Sequence, residues 1–436
     1  MRIRSIMNET INKIDIKDFF ISLFNSSKNS FSHKSLARRR EDAFAIFEKE
    51  GFPTTKNEEW KYTNIAPILK KEYAYLPSSS INKEDWENYF IDSIKANILI
   101  FINGVFSAQL STILDTTIVV QNFSETEEGN LNKYFNLEAH PANAAFTALN
   151  TAFAENGAYI KIPKGQVVEH PIVLHFIADA KDSNVFIQPR NIVIAEENSK
   201  VQLVELITTI GIHSSFTNMV TEVVLKENAT VLYYKIQNDP QSQVNTTQVY
   251  QEAKSSFTSA TISLDGELVR NNLNISLNAE YSEAFLYGLY FLKGKQHTDT
   301  HTLVNHAKPN CYSSELYKGV LADKSRGVFN GKIFVKPDAQ KTNAFQSNKN
   351  ILLSPDAIMD TKPQLEIYAD DVKCSHGATV GQMDEEPLFY LRSRGISERM
   401  AKALLVNAFA NDIIEHIKID VLRNKIEHVI STRLLS

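Results

Sequence analysis

Two stretches of this chain repeat one another 30 positions apart. Ile194-Ala195-Glu196-Glu197-Asn198-Ser199-Lys200-Val201 aligns with Val224-Leu225-Lys226-Glu227-Asn228-Ala229-Thr230-Val231, so strand-like run, Glu-Asn turn and strand-like run recur in order. A weaker echo spans residues 277–285. Self-similarity at this period constrains a fold more than local propensity does, because each unit must bury its apolar face against the next. From about Ala96 to Val380 the chain is built of short runs rich in Val, Ile, Tyr, Phe and Thr, as at 159–162, 172–176, 192–194 and 223–225, broken by Asn, Gly, Asp, Ser and Pro. Rough repetition of strand and turn suits the coils of a β-solenoid. On the pattern alone, an antiparallel sandwich accounts for it about as well.

Both ends change period. Leu36, Ala43, Phe44 and Phe47 recur at helical spacing, and Gly51-Phe52-Pro53 supplies a stop. After Gly395, Ser397 is a candidate N-cap for a helix carrying Met400, Leu404, Ala408 and Phe409. A second helix from near Asp420 carries Leu422, Ile426, Val429 and Ile430 on one stripe. The organisation expected is a helical region over 1–85, a strand-rich core over 86–385 and a helical region over 386–436. A core that closes on itself leaves the last helical unit free to serve a partner.

The densest candidate chemistry lies in Asp370-Asp371-Val372-Lys373-Cys374-Ser375-His376-Gly377. On a strand, Cys374 and His376 share a face with α-carbons ~7 Å apart, and thiolate and imidazole are ready ligands for iron or zinc. Val372, Ala378 and Val380 share that face, so an inward core face fits the pattern equally. His297, Asp299 and His301 also alternate on one face with His306 beyond, a superficial resemblance to non-haem iron ligands. The interleaved Thr298, Thr300 and Thr302 favour hydrogen-bonded structural histidines there. Asp370-Asp371 reads as a turn, or alternatively as the carboxylates of a β-helix polysaccharide lyase-like enzyme. Against the enzyme stand only two tryptophans, one of them Trp60 in the helical zone.

A chain of 436 residues, 43% hydrophobic, can bury a large core. Net charge of −5 and pI near 6.2 argue against a general binder of nucleic acid or anionic membrane. Arg38-Arg39-Arg40 reads as a solvated helix face. Arg2 and Arg4 precede a polar stretch at 7–17 rather than an apolar signal core, the apolar run 98–102 is too short to span a bilayer, and two cysteines, Cys311 and Cys374, suit a reducing, cytoplasmic compartment. Gly288 to Gly294-Lys295-Gln296 misses the phosphate-loop spacing and its Ser or Thr. No nucleophile elbow is evident.

Several long motifs in order resemble the SufD-type scaffold subunits of the SUF iron–sulfur cluster assembly machinery. They are Gly51-Phe52-Pro53-Thr54 with Glu59-Trp60-Lys61-Tyr62-Thr63, Tyr317-Lys318-Gly319-Val320, Val328-Phe329-Asn330-Gly331-Lys332-Ile333, Gln340-Lys341-Thr342-Asn343-Ala344, the Asp370–Gly377 stretch, and Phe389-Tyr390-Leu391-Arg392-Ser393-Arg394-Gly395-Ile396. The sister SufB usually reads differently at Asp-Asp-Val-Lys-Cys-Ser-His. The resemblance implies a right-handed parallel β-helix core flanked by helical regions. It also implies a non-catalytic scaffold that pairs with SufB through the β-helix and binds the SufC ABC-type ATPase through C-terminal helices, with a possible homodimer when alone. It places His376, and next Cys374, at the assembly interface, and Phe389, Tyr390, Arg394, Met400, Leu404 and Phe409 in the region that meets the partner. No tightly bound metal or nucleotide is expected in isolation, only a transient iron–sulfur cluster shared with SufB.

Overall fold

The computed structural model describes residues 15–75, 79–89, 94–137 and 145–435. Arg2, Arg4 and most of the polar stretch at 7–17 lie outside the described residues. From Arg190–Ala195 and Lys200–Gly211 onward, each coil lays one strand in each of two parallel sheets, ending with Ile358–Ile367 in one and Val372–Gln382 in the other. The result is a β-solenoid of about seven turns. Parallel ladders throughout this region exclude the sandwich.

The echo seen in the sequence is the corner of this winding. Asn198 and Asn228 have φ of 58° and 58°, a left-handed conformation that Asn tolerates better than most residues, and Asn228 Nδ2 donates to Asn198 Oδ1 at 3.2 Å. Later coils place Lys254, Tyr281, Asn310 and Lys341 in the same conformation. Backbone hydrogen bonds between coils hold several of these corners, as from Lys254 N to Glu280 O at 3.0 Å, so the residue type drifts while the geometry persists.

Inside, side chains stack in columns set by the register. One runs Val201, Val231, Phe257, Ala284, Ser313, Ala344, Cys374; its neighbour runs Leu203, Tyr233, Ser259, Leu286, Glu315, Gln346, His376. The lumen begins apolar and ends polar. Gly288 and Gly319 serve close packing here: a Cβ on Gly288 would lie 2.0 Å from the Tyr317 ring, and one on Gly319 2.1 Å from the Tyr290 ring.

The helices Ile16–Ser27 and Ala37–Glu50 pack Phe20, Phe24, Phe44 and Phe47 with Phe153, Phe186 and Phe216 on the outside of the first sheet. Gly51, at φ 66°, ends the second helix by donating its N–H to Phe47 O at 2.8 Å. The solvated reading of the arginine run fails at Arg40. Arg40 lies three and four residues before Ala43 and Phe44, hence on the buried face, where it binds Ala154 O and Glu155 Oε2 (2.9 Å). Strand-like runs do not fill the whole of 96–380 either. Helices at Glu128–Tyr134 and Ala145–Ala152 interrupt them, the second burying Phe146, Leu149 and Ala152 in the same aromatic cluster.

The C-terminal helical unit is not free. Val406, Ala410 and Ile413 of Glu398–Ile414 and Leu422, Ile426 and Ile430 of Asp420–Leu435 cover Val204, Tyr234, Ala260, Leu289, Phe291 and Val320 on the outside of the second sheet. A parallel sheet is apolar on both faces and demands such a cover. The stripe on the last helix is therefore packing. Buried Lys318 fastens the unit, donating to Phe409 O at 2.9 Å, pairing with Asp412 and lying 4.3 Å over the Phe409 ring.

Candidate functional site

The end of the solenoid is open. Ile358–Ile367 and Val372–Gln382 are the last strands of their sheets, each paired along one edge only. Long exposed edge strands are templates for another chain unless something blunts them. Around this edge Phe345, Ile358, Ile367, Tyr368 and Val380 present exposed apolar surface, Tyr368 at 61%. Asp370-Asp371 forms the corner between the two strands, with Asp371 N donating to Gln340 Oε1 at 2.9 Å.

Cys374 and His376 stand on the lumen side of the last strand, in register with Ala344 and Gln346. Cys374 is half-buried against the cluster of Ile333, Val335 and Ala344. Burial pushes its thiol above the usual range, opposed by a backbone hydrogen bond from Ala344. His376 is exposed. The alternation thus carries both side chains to one rim, and the buried-core reading fails for the histidine because no further coil covers it. Among the described residues, no group of three or more His, Cys, Asp and Glu could hold a metal ion. Cys311 is a second free thiol, buried in the lumen wall with Sγ 3.3 Å from Ala279 O.

His297, Asp299 and His301 face outward and clasp the N-terminal motif. Thr63 Oγ1 bonds His297 Nε2 at 2.9 Å and donates to Asp299 Oδ2 at 2.5 Å. His301 lies 3.0 Å from Asp299 and 3.1 Å from Glu59. Arg270 pairs with Asp299 at 2.5 Å, donates to Glu59 O at 2.8 Å and lies 4.6 Å over the Trp60 ring. Burial alone would raise the Asp299 carboxyl, but Arg270, His301 and Thr63 overcome it and hold it well below the usual range. His306 points the other way, into the lumen, bonding Ser313 Oγ at 2.9 Å; burial lowers its imidazole to about 3, so it is neutral. Sequence reasoning weighed these residues as a group and did not connect them with Glu59-Trp60-Lys61-Tyr62-Thr63.

The partner candidates divide. Phe389 (74%), Tyr390 (57%), Met400 (43%) and Leu404 (44%) are exposed, and Arg394 lies 5.3 Å over the Tyr390 ring. Phe409 is instead engaged with Lys318. A groove of about 760 Å³ beside them is lined by Leu352, Met383, Arg392, Arg399, Lys402 and Val406. Sequence reasoning also missed two buried polar residues beneath His376, Glu315 and Gln346; the signal was their inward parity, which on the second strand continues in the buried Asn348 and Asn350.

The chain matches the family model for the SUF system FeS cluster assembly SufBD core domain over residues 176–409 and that for the SufBD protein N-terminal region over 14–174. It is 31% identical over 415 residues to an iron–sulfur cluster assembly SufBD family protein of Synechocystis sp., covering 92% of this chain and 91% of that one. It is 30% identical over 393 residues to iron–sulfur cluster assembly protein SufD of Escherichia coli, covering 88% and 90%. Bacillus subtilis SufD is 28% identical over 296 residues, 66% of each chain. These relatives give no support to the polysaccharide lyase-like reading.

Proposed function

This chain belongs to the SufBD family and takes part in SUF iron–sulfur cluster assembly, and from that premise we propose that it is the SufD-type scaffold subunit, which pairs with SufB through the open end of its solenoid. The observation that carries this reading is the rim itself: two long edge strands each paired on one side only, an apolar surround, and Cys374 with exposed His376 in one line. A homologous solenoid end laid against this one would satisfy the edges and enclose the rim. A nascent cluster would then draw ligands from both subunits, with His376 acting beside a SufB cysteine. Cys374 ranks second, since a thiol ligates iron well only as thiolate and burial works against that form here.

In this reading the chain turns over no substrate of its own. ATP hydrolysis belongs to SufC, which docks on the exposed Phe389, Tyr390, Met400 and Leu404 surface while the opposite helix faces hold the solenoid, so SufC dimerisation would move the two scaffolds against each other. Iron and sulfide are cargo, and the lone cytoplasmic chain keeps neither a stoichiometric metal nor a nucleotide. A homodimer through the same rim is available when SufB is absent.

The test is His376→Ala in a complex reconstituted with SufB and SufC. The residue is exposed, so the thermal midpoint and subunit stoichiometry should stay unchanged while cluster yield falls at least about tenfold, as for loss of a ligand or proton-handling group. Normal yield per folded complex would refute the role of His376. Failure of the wild-type chain to co-purify with SufB would refute the pairing.

A further inference from the structure

The register that carries His376 to the rim continues beneath it. His376 is the partner of Gln346, and Gln346 of Glu315; successive parallel strands are ~4.8 Å apart, with in-register side chains on one face. Glu315 and Gln346 are 2% and 3% exposed. Glu315 reaches across the lumen, where Thr302 Oγ1 donates to its Oε2 at 2.9 Å. Gln346 crosses one coil later towards Gly331, and a Cβ there would lie 2.3 Å from Gln346 Nε2, so the glycine makes room for the amide.

Gln346 Nε2 donates to Glu315 Oε2 at 3.2 Å. Above the value of about 7 to which burial pushes it, Glu315 is a carboxylate and only accepts, so the amide must then turn its NH₂ to Glu315 and its carbonyl away. That carbonyl oxygen is buried and has no hydrogen-bond partner within the described chain. A buried acceptor in this condition is unfavourable and calls for a donor. The next residue in the column is His376.

We propose that Glu315 and Gln346 are positioning residues for His376: Glu315 sets the Gln346 amide so that its carbonyl accepts the imidazole N–H, leaving the other ring nitrogen as a lone pair turned to the open end. A neutral imidazole has one donor and one acceptor nitrogen, and the partner of one decides the chemistry of the other. The nitrogen left free can then take a metal ion or a proton at the assembly interface. The inference rests on the reading of His376 as the cluster-assembly residue.

The experiment uses the full, isolated chain with ¹⁵N-labelled histidine at pH 8, above the value of about 7 to which burial pushes Glu315. Ring spectra report which nitrogen carries the proton, and the His376 signals are those absent from His376→Ala. One tautomer should dominate in the wild type. Gln346→Leu should shift the tautomer ratio about threefold or more towards that of a free imidazole, and Glu315→Gln should shift it less, because the amide carbonyl that replaces the carboxylate still accepts from Gln346. Thermal midpoints test whether each variant is folded; were Gln346→Leu to unfold, the smaller Gln346→Ala, which also removes the carbonyl, would take its place. An unchanged ratio in a folded Gln346 variant, or no dominant tautomer in the wild type, overturns the relay. Normal cluster yield in the His376→Ala complex overturns the reading of the site instead, and leaves the tautomer result standing.

Discussion

Glu315 makes the stability of this protein depend on pH in the direction opposite to most carboxylates. Its carboxyl is buried in the lumen, and burial raises it from 4.5 to about 7 against the hydrogen bonds of Thr302 and Gln346. The folded chain therefore holds this proton more tightly than the unfolded chain does. Below about pH 4 both states are protonated and there is no penalty. As the pH rises the unfolded chain releases its proton first, so stability falls until the folded carboxyl also ionises above about pH 7. A difference of about 2.5 pH units at 1.36 kcal/mol each amounts to about 3 kcal/mol lost by pH 9. Glu315→Gln keeps the shape and an acceptor for Thr302 while removing the charge. The variant should match the wild type at pH 4.5 and exceed it by about 3 kcal/mol at pH 9. Urea unfolding of both proteins across this range at constant ionic strength measures the gap, and other titrating groups cancel in the difference. A gap that stays constant with pH would refute the assignment of a buried, proton-retaining carboxyl at this position.

Asp299 has the opposite sign. Its depressed carboxyl contributes stability above its unfolded value near 3.8 that is lost as the pH falls below it. Asp299→Asn at neutral pH leaves buried Arg270 without its counter-charge, for a loss of about 3–5 kcal/mol and faster proteolysis within the 58–63 segment; unchanged proteolysis would show that the clasp does not hold that segment. Gly319→Ala places a methyl 2.1 Å from the Tyr290 ring. It should cost roughly 1–3 kcal/mol or more in thermal or urea unfolding, whereas a neutral effect would mean the lumen repacks freely. Met400→Asp with Leu404→Asp alters only exposed positions, so stability should hold to about 0.5 kcal/mol while capture of the ATPase partner drops at least tenfold. Unweakened capture by the folded double variant removes the docking assignment. Deleting 397–436 is a poorer test of docking, because the helices shield Val204, Leu289, Phe291 and Val320.

Local chemistry written in the sequence was sufficient for several features. Period-two alternation put Cys374 and His376 on one face, helical spacing and Gly51 marked the Ala37–Glu50 helix and its end, and Ser397 caps the Glu398–Ile414 helix by accepting from Met400 N. The Glu-Asn echo located two corners of the solenoid, since Asn tolerates the left-handed turn. Lys254, Tyr281 and Lys341 turn the same corner without an amide signature, Lys254 and Lys341 by donating their N–H groups to the coil beside them, and so left no repeat to read.

What only the tertiary structure decided concerns which side of each element meets another. Periodicity shows that the last helices have an apolar stripe, but not that a parallel sheet, apolar on its outer face too, needs it as a cover; hence Leu422, Ile426 and Ile430 are core while Met400 and Leu404 remain exposed. Arg40 differs from Arg38 only by the rotation of its helix towards Ala154 and Glu155. Thr63 meets His297 across 234 positions and Gln346 meets Glu315 across 31. Such pairs have no local signal, because the register of coil upon coil is set by the summed burial of the whole lumen, and that register is what carries a histidine to the open end with a buried carbonyl beneath it.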